Sequence, residues 1–336
     1  MTAEPAEERS RRSEASRSRS DRGHSGQLRR DGLTGEWVSI VGSRQNRPNL
    51  PTTGICPFCV GGLEAPEPYD TLAFPNRWPA YGPGEPVDVA TLDAAGVDRF
   101  DAVGAAEVIL YSPVHDASLG SLGETQIRKV IDLWAERTDA LLERPEIAYV
   151  LVFESRGAEV GATIHHPHGQ IYAFPFVPPA ALAEVGADGC RVCRELEREV
   201  DDHGRVVFDD GDWVAWVPFA SAYPYGINLA SRRHLGRLSE LDGAGRDSLA
   251  GALADVLGRY DRLWAGDPAR SEIFPYLMWV HQEPAEADDR YHLHLHLAPP
   301  QRAPGVARFI AAGEVGAGTL SNPIVPEDAA STLRAL

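Results

Sequence analysis

Apolar and polar positions change their spacing several times along this chain, and the changes come twice in one order. The stretch AEVILYSPVH, ending at His115, reads as a strand. From about 124 to 143 the spacing becomes helical, with Ile127, Val130, Ile131, Trp134 and Leu141 on one face. YVLVFES returns to strand, and after a turn HHPHGQIYAF is a strand again.

The second half repeats this order. RVVFDDGDWVAWVP predicts two short strands around an Asp-Gly turn, and GINLASRRH a third that ends at His234. A helix is expected from about 243 to 264, with Leu249, Leu253, Val256, Leu257, Tyr260 and Trp264 on one face. FPYLMWVH and YHLHLHLAPP close the half as strands, and a Pro-rich link, FPFVPPAALAEVG, joins the two halves. The pattern implies an α+β fold, an internal duplication built on antiparallel strands with flanking helices. The expected divisions are a tail at 1–28, a first half at 29–178 and a second at 179–336.

Composition narrows the function. Acidic residues outnumber basic ones 49 to 32, for a net charge of −17, which argues against a nucleic-acid binder. No apolar run is long enough for a membrane span. The Arg/Ser/Glu-rich start lacks the apolar segment of a secretion signal, so a disordered tail and a cytoplasmic setting are expected. Lys129 is the single lysine, so a P-loop is excluded and any phosphate-binding cation must be an arginine.

The four cysteines form two C-x-x-C pairs, Cys56/Cys59 and Cys190/Cys193. In a cytoplasmic chain such pairs suggest zinc, with a thioredoxin-like redox pair as the alternative. Neither pair reads as standing at the strand-to-helix turn that a redox pair would need. A closed tetrahedral site requires two more ligands. The repeat nominates His115 and His166 for the first pair, and His234 with one of the strand histidines for the second. A surface or helix-preceding histidine is the alternative for His115 and His234, and their matching positions in the two halves favour the ligand reading.

Residues two apart on a strand share a face, so His166, His168 and Gln170 point one way, as do His292, His294 and His296. If His166 holds metal, His168 is left as a positioned imidazole, a good nucleophile near neutral pH. Gln170 can donate to an anionic oxygen but cannot protonate a leaving group. The combination suits displacement at phosphorus when the leaving group is itself a phosphate.

HPHGQ, with CPFC, SPVH and YHLHLHLAPP, resembles galactose-1-phosphate uridylyltransferase, a family of the histidine-triad superfamily. RRDGLTGEWVSIVGSRQNRP (29–48) and FPNRWPA (74–80) are similar to the same family, and the resemblance runs from about 29 to 332. It implies a duplicated histidine-triad-like fold, a homodimer, and ping-pong transfer of UMP from UDP-glucose to galactose 1-phosphate through a uridylyl-histidine. The implied nucleophile is His168, with Gln170 on the transferring phosphoryl group where hydrolytic relatives carry a third histidine. The implied zinc ligands are Cys56, Cys59, His115 and His166. Arg44 and Arg47 match arginines that contact substrate phosphate, Asn76 lies in a nucleotide-contacting segment, and Gly161, Ala162 and Thr163 fall in a sugar-phosphate loop.

Two departures bear on the sugar. Ser155 stands where many members have asparagine, and Leu320 where a hexose-contacting glutamine is expected. The second metal is a fork. One pattern gives zinc on Cys190, Cys193, His234 and His292; the other gives iron on Glu184, His281, His294 and His296. Members of the iron type lack the second C-x-x-C, and paired thiolates favour zinc. Two other functions fit less of the sequence. An ADP-glucose phosphorylase of the same architecture tends to have a serine near the Pro and Gly of HPHGQ. A non-catalytic double zinc module leaves Gln170, Arg44 and Arg47 without a role.

Overall fold

The computed structural model describes residues 26–42, 45, 56–86, 92, 95–286 and 288–336. Arg44 and Arg47 and nearly all of the expected tail lie outside the described residues.

The described residues open with a small antiparallel sheet. In it β1 (Gln27–Arg30) lies between β2 (Trp37–Ile40) and β4 (Arg99–Asp101), which follows β3 (Leu72–Pro75) in sequence. Strand β1 begins inside the segment 1–28.

A larger antiparallel sheet organises the rest. From the first half it takes β3, β5 (Ala105–Leu110), β6 (Tyr149–Arg156) and β7 (His168–Phe174). Two short strands, β8 (Val185–Gly186) and β9 (Gly189–Cys190), then pair with each other. The second half contributes β10 (Val206–Asp209), β11 (Trp213–Trp216), β12 (Ile227–Ser231), β13 (Tyr276–His281) and β14 (His294–Ala298). The strand order is β10-β11-β12-β14-β13-β6-β7-β5-β3. The first half reads outward as β6-β7-β5-β3 and the second as β13-β14-β12-β11, so the duplicated units meet where β6 pairs with β13.

Each half has one long helix, Glu124–Leu142 and Gly243–Arg262, close to the ranges that the spacing predicts. The apolar side chains of both helices pack on one face of the sheet. Val130, Trp134, Leu253 and Leu257 meet Val152, Ile171, Met278 and Leu295 in one continuous core. Burying each such aliphatic side chain contributes about 1.5–3 kcal/mol. Because strand side chains alternate, the partners of Ile171 and Leu295 face the other way. Those partners are His168, Gln170, His294 and His296, so covering one face with helices puts the histidines on the other. Among the described residues no helix is long and apolar enough to cross a membrane.

The Pro-rich link is not a plain connector. Pro179–Glu184 is a short helix that delivers Glu184 to the second half. The second C-x-x-C also differs from expectation, since Cys190 caps the helix Arg191–Asp202 and its sulfur accepts from the Cys193 N–H at 3.3 Å.

Candidate active site and metal centres

The first C-x-x-C is a tight knuckle. The Cys59 N–H donates to the Cys56 carbonyl at 3.1 Å, and the Gly62 N–H to the Cys59 carbonyl at 2.8 Å. A Cβ at Gly62 would lie 2.4 Å from the Cys56 carbonyl oxygen, so the turn closes only around glycine. Four ligand atoms of Cys56, Cys59, His115 and His166 lie within 4.8 Å of one another. Cys59 Sγ is 3.5 Å from His115 Nδ1 and 3.7 Å from His166 Nδ1. Tetrahedral zinc, with bonds of about 2.3 Å to sulfur and about 2.0 Å to nitrogen, sets S and N roughly 3.5 Å apart, so the residues fit it. The tautomer fits too. The His166 Nε2–H donates to the Ser112 carbonyl at 2.9 Å, which leaves the Nδ1 lone pair for a metal. Tyr69 Oη lies 2.9 Å from the same nitrogen. Burial pushes the His166 imidazole down to about 4, which keeps it neutral, and burial with the Cys56 neighbour raises the Cys59 thiol.

The second half repeats this construction. Cys193 Sγ is 3.3 Å from both His234 Nδ1 and His292 Nδ1, and the His292 Nε2–H donates to the Ser231 carbonyl at 3.0 Å. Burial and the Cys190 thiol push the Cys193 thiol up to about 12.

The sequence left Glu184, His281, His294 and His296 as an alternative to that set, yet both are assembled in the same chain. The His281 Nδ1–H donates to Glu184 Oε2 at 2.5 Å, while His294 Nε2 and His296 Nε2 stand 3.3 and 3.2 Å from the carboxylate oxygens. His294 and His296 are tied back through Nδ1 to the His292 carbonyl and to Asn228 Oδ1. Burial opposes ionisation of Glu184, but the three imidazoles set against it, His281 foremost, hold its carboxyl far below the ordinary range. The two sets are compatible because they use different residues of one strand, His292 for the thiols and His294 with His296 for Glu184.

His168 stands beside the first knuckle. Its Nδ1–H donates to the His166 carbonyl at 2.7 Å, so Nε2 carries the lone pair. The Phe58 ring, held between the two cysteines, is 5.0 Å from the His168 ring. Both line a pocket of about 290 Å³ with Phe74, Asn76, Arg77, Trp78, Thr163 and Gln170. Asn76 Nδ2 donates to Gln170 Oε1 at 3.3 Å, which directs the Gln170 amide N–H groups elsewhere. Asn76 is itself fixed by the Trp78 N–H on its Oδ1 at 2.9 Å.

Of the other sequence candidates, Thr163 lines this pocket, whereas Ser155, Gly161, Ala162 and Leu320 are outside its lining. Leu320 is exposed. His165 lies near Asp116 and the His115 ring rather than in the pocket. Sequence reasoning missed Phe58, Tyr69 and Arg77. Phe58 and Arg77 lie inside motifs already singled out, CPFC and FPNRWPA, so position within a motif was the available signal.

Residues 56–178 match the family described as galactose-1-phosphate uridyl transferase, N-terminal domain, and residues 185–336 its C-terminal domain. The chain belongs to the galactose-1-phosphate uridyl transferase family. The galactose-1-phosphate uridylyltransferase of Thermotoga maritima is 35% identical over 319 residues, covering 92% of this chain and 98% of that protein. A solved uridylyltransferase structure superposes with a TM-score of 0.78 at 32% identity, covering 92% of this chain and 97% of that one. The ADP-glucose phosphorylase of Arabidopsis thaliana is 26% identical, with 92% of each chain covered.

Proposed function

We propose that the chain transfers UMP from UDP-glucose to galactose 1-phosphate through a covalent uridylyl-histidine on His168. The observation that carries this reading is the bond from His168 Nδ1–H to the His166 carbonyl, 2.7 Å long, in a side chain that lines the same pocket as Gln170. A carbonyl can only accept, so the proton stays on Nδ1 and Nε2 is the basic nitrogen.

In the first half-reaction Nε2 attacks the α-phosphorus of UDP-glucose. The N–P bond forms, the bond from phosphorus to the bridging oxygen breaks, and glucose 1-phosphate leaves as an anion that needs no proton. In the second, a phosphate oxygen of galactose 1-phosphate attacks the same phosphorus and the N–P bond breaks. Gln170 donates to the phosphoryl oxygens while Asn76 holds its carbonyl end, a preorganised dipole where charge develops. Phe58, Phe74 and Trp78 offer an apolar wall for a nucleoside, and Arg77 is a cation at its edge, partly engaged by Glu64 at 3.0 Å. Arg44 and Arg47 remain our candidates for phosphate contact, and Ser155 and the 161–163 loop for the sugar.

Zinc is the ion we assign to Cys56, Cys59, His115 and His166, and again to Cys190, Cys193, His234 and His292. The Glu184–His281–His294–His296 set, with a carboxylate and no sulfur, suits a harder ion such as iron(II). When bound, all three ions would hold chain segments together. We assign the nucleophile to the unit 29–178 and the other two metal sets to the unit 179–336, in a cytoplasmic homodimer.

The test is turnover of UDP-glucose with galactose 1-phosphate against ADP-glucose with phosphate. The first pair should be used at least tenfold faster. Preference for the second pair would move the assignment to a phosphorylase.

A further inference from the structure

Beneath the His168 strand, on the side away from the pocket, lies a carboxyl that the reaction above does not use. Glu154 on β6 is 4% exposed and faces the helix-covered core, directly across from Met278. Its Oε1 accepts from Tyr276 Oη of β13 at 3.1 Å. Arg156 on the same strand is nearby and pairs with Asp261 of the second long helix at 2.8 Å. Tyr111, just beyond β5, completes the group, and its ring meets Trp134 of the first long helix edge-on. Burial raises the Glu154 carboxyl to about 7, against the pull of Arg156.

The group reaches the active strand at Gly169. A Cβ at Gly169 would lie 2.0 Å from Tyr111 Oη and 2.9 Å from the Phe153 carbonyl oxygen. The phenol therefore occupies the space that a side chain at 169 would take, against the peptide unit that separates His168 from Gln170. Tyr111 Oη and Glu154 are both buried in the core, and each bears on the other's proton. An ionisable carboxyl at this depth is costly to keep in a core.

We propose that Tyr111, Glu154 and Tyr276 are positioning residues that support the Gly169 backbone from the core side and so set the offset between His168 and Gln170. In-line attack requires Nε2 and the amide to address the same phosphorus at once, and small misplacements there are expensive in rate. The inference rests on the His168 reading.

The test uses the full-length, metal-loaded protein. Uridylyl adduct formation is followed in a single turnover, giving the rate at saturating UDP-glucose and the half-saturating concentration; metal content is measured in parallel. Tyr111→Phe should slow the saturated rate on the order of tenfold, with half-saturation and metal unchanged. Glu154→Gln, which keeps shape and hydrogen-bonding capacity, should stay near wild type, whereas Glu154→Leu should not. Should Glu154→Leu fail to fold, Tyr276→Phe, which removes the phenol donor alone, is expected to show a loss of the same kind. Wild-type saturated rates in both Tyr→Phe variants would overturn the proposal, as would a loss confined to half-saturation or to metal content. Absence of any adduct on the wild-type protein would instead overturn the transferase reading beneath it.

Discussion

Cys59→Ser removes the sulfur that faces both His115 and His166, at 3.5 and 3.7 Å. Serine is a poor zinc ligand and its oxygen reaches less far, so the ion should be lost. The turn of the knuckle is held by backbone bonds from Cys59, Gly62 and Glu64 to the Cys56, Cys59 and Pro57 carbonyls and by the Tyr69 hydroxyl, which donates to the Phe58 carbonyl at 2.7 Å. Phe58 lies within that turn and packs against Phe74 and His168. If the turn opens, the lost packing of this one buried ring costs about 3–5 kcal/mol. At ~2–4 °C per kcal/mol for a domain of this size class, the melting temperature should fall by roughly 10 °C. The same ring forms the pocket wall, so the damage should reach the chemistry. The assays are metal content by mass spectrometry, thermal melting, and the rate of uridylyl adduct formation. One equivalent of zinc should disappear, with the melting temperature and the adduct rate falling together. A variant that keeps its metal and melting temperature would refute the ligand assignment. Lost metal with an unchanged adduct rate would refute the link from knuckle to pocket.

Three further outcomes are expected. Replacing Cys190 and Cys193 together by Ser should remove one zinc and leave the ion at Glu184 in place, while Glu184→Gln should do the reverse; metal analysis of each variant separates the two. Asn76→Ala should lower the saturated transfer rate about tenfold, because the Gln170 amide loses the donor that orients it. The third concerns pH. The folded Glu154 carboxyl is raised to about 7, so its stabilising contribution is present below the ordinary carboxyl value and is lost as pH rises through about 7. Wild type should therefore lose melting temperature relative to Glu154→Gln between pH 5 and pH 8. Parallel curves for the two proteins would show that this carboxyl does not titrate there.

Much of the fold could be read from spacing because both long helices carry one clear apolar face, and their ends fall within two residues of the expectation. The first cluster of Cys and His side chains was legible for a related reason. A cysteine pair, a histidine before the helix and a histidine strand came in one order in both halves. Other features were hidden by the phase of the pattern. In YVLVFESR the first five positions are all apolar, so alternation does not tell which face Glu154 takes, and only the pairing of β6 with β13 decides it. Glu184 was obscured by prolines that read as a link, although one turn of helix forms there. The apparent choice between two second metals arose because sequence order alone cannot show that His292 serves one set while His294 and His296 serve another. The bond from Asn76 to Gln170 spans 94 positions and has no local signature.

The central claim is that His168 carries the transferred nucleotide. Its most direct measurement is the intact mass of the protein after incubation with UDP-glucose alone, followed by peptide mapping. Wild type should gain one uridylyl group on His168, labile to acid and stable to base, and should lose it on addition of galactose 1-phosphate. His168→Gly should gain nothing from UDP-glucose while retaining its metals. A uridylyl group on His165 or His166, or on the His168→Gly protein, would contradict the account.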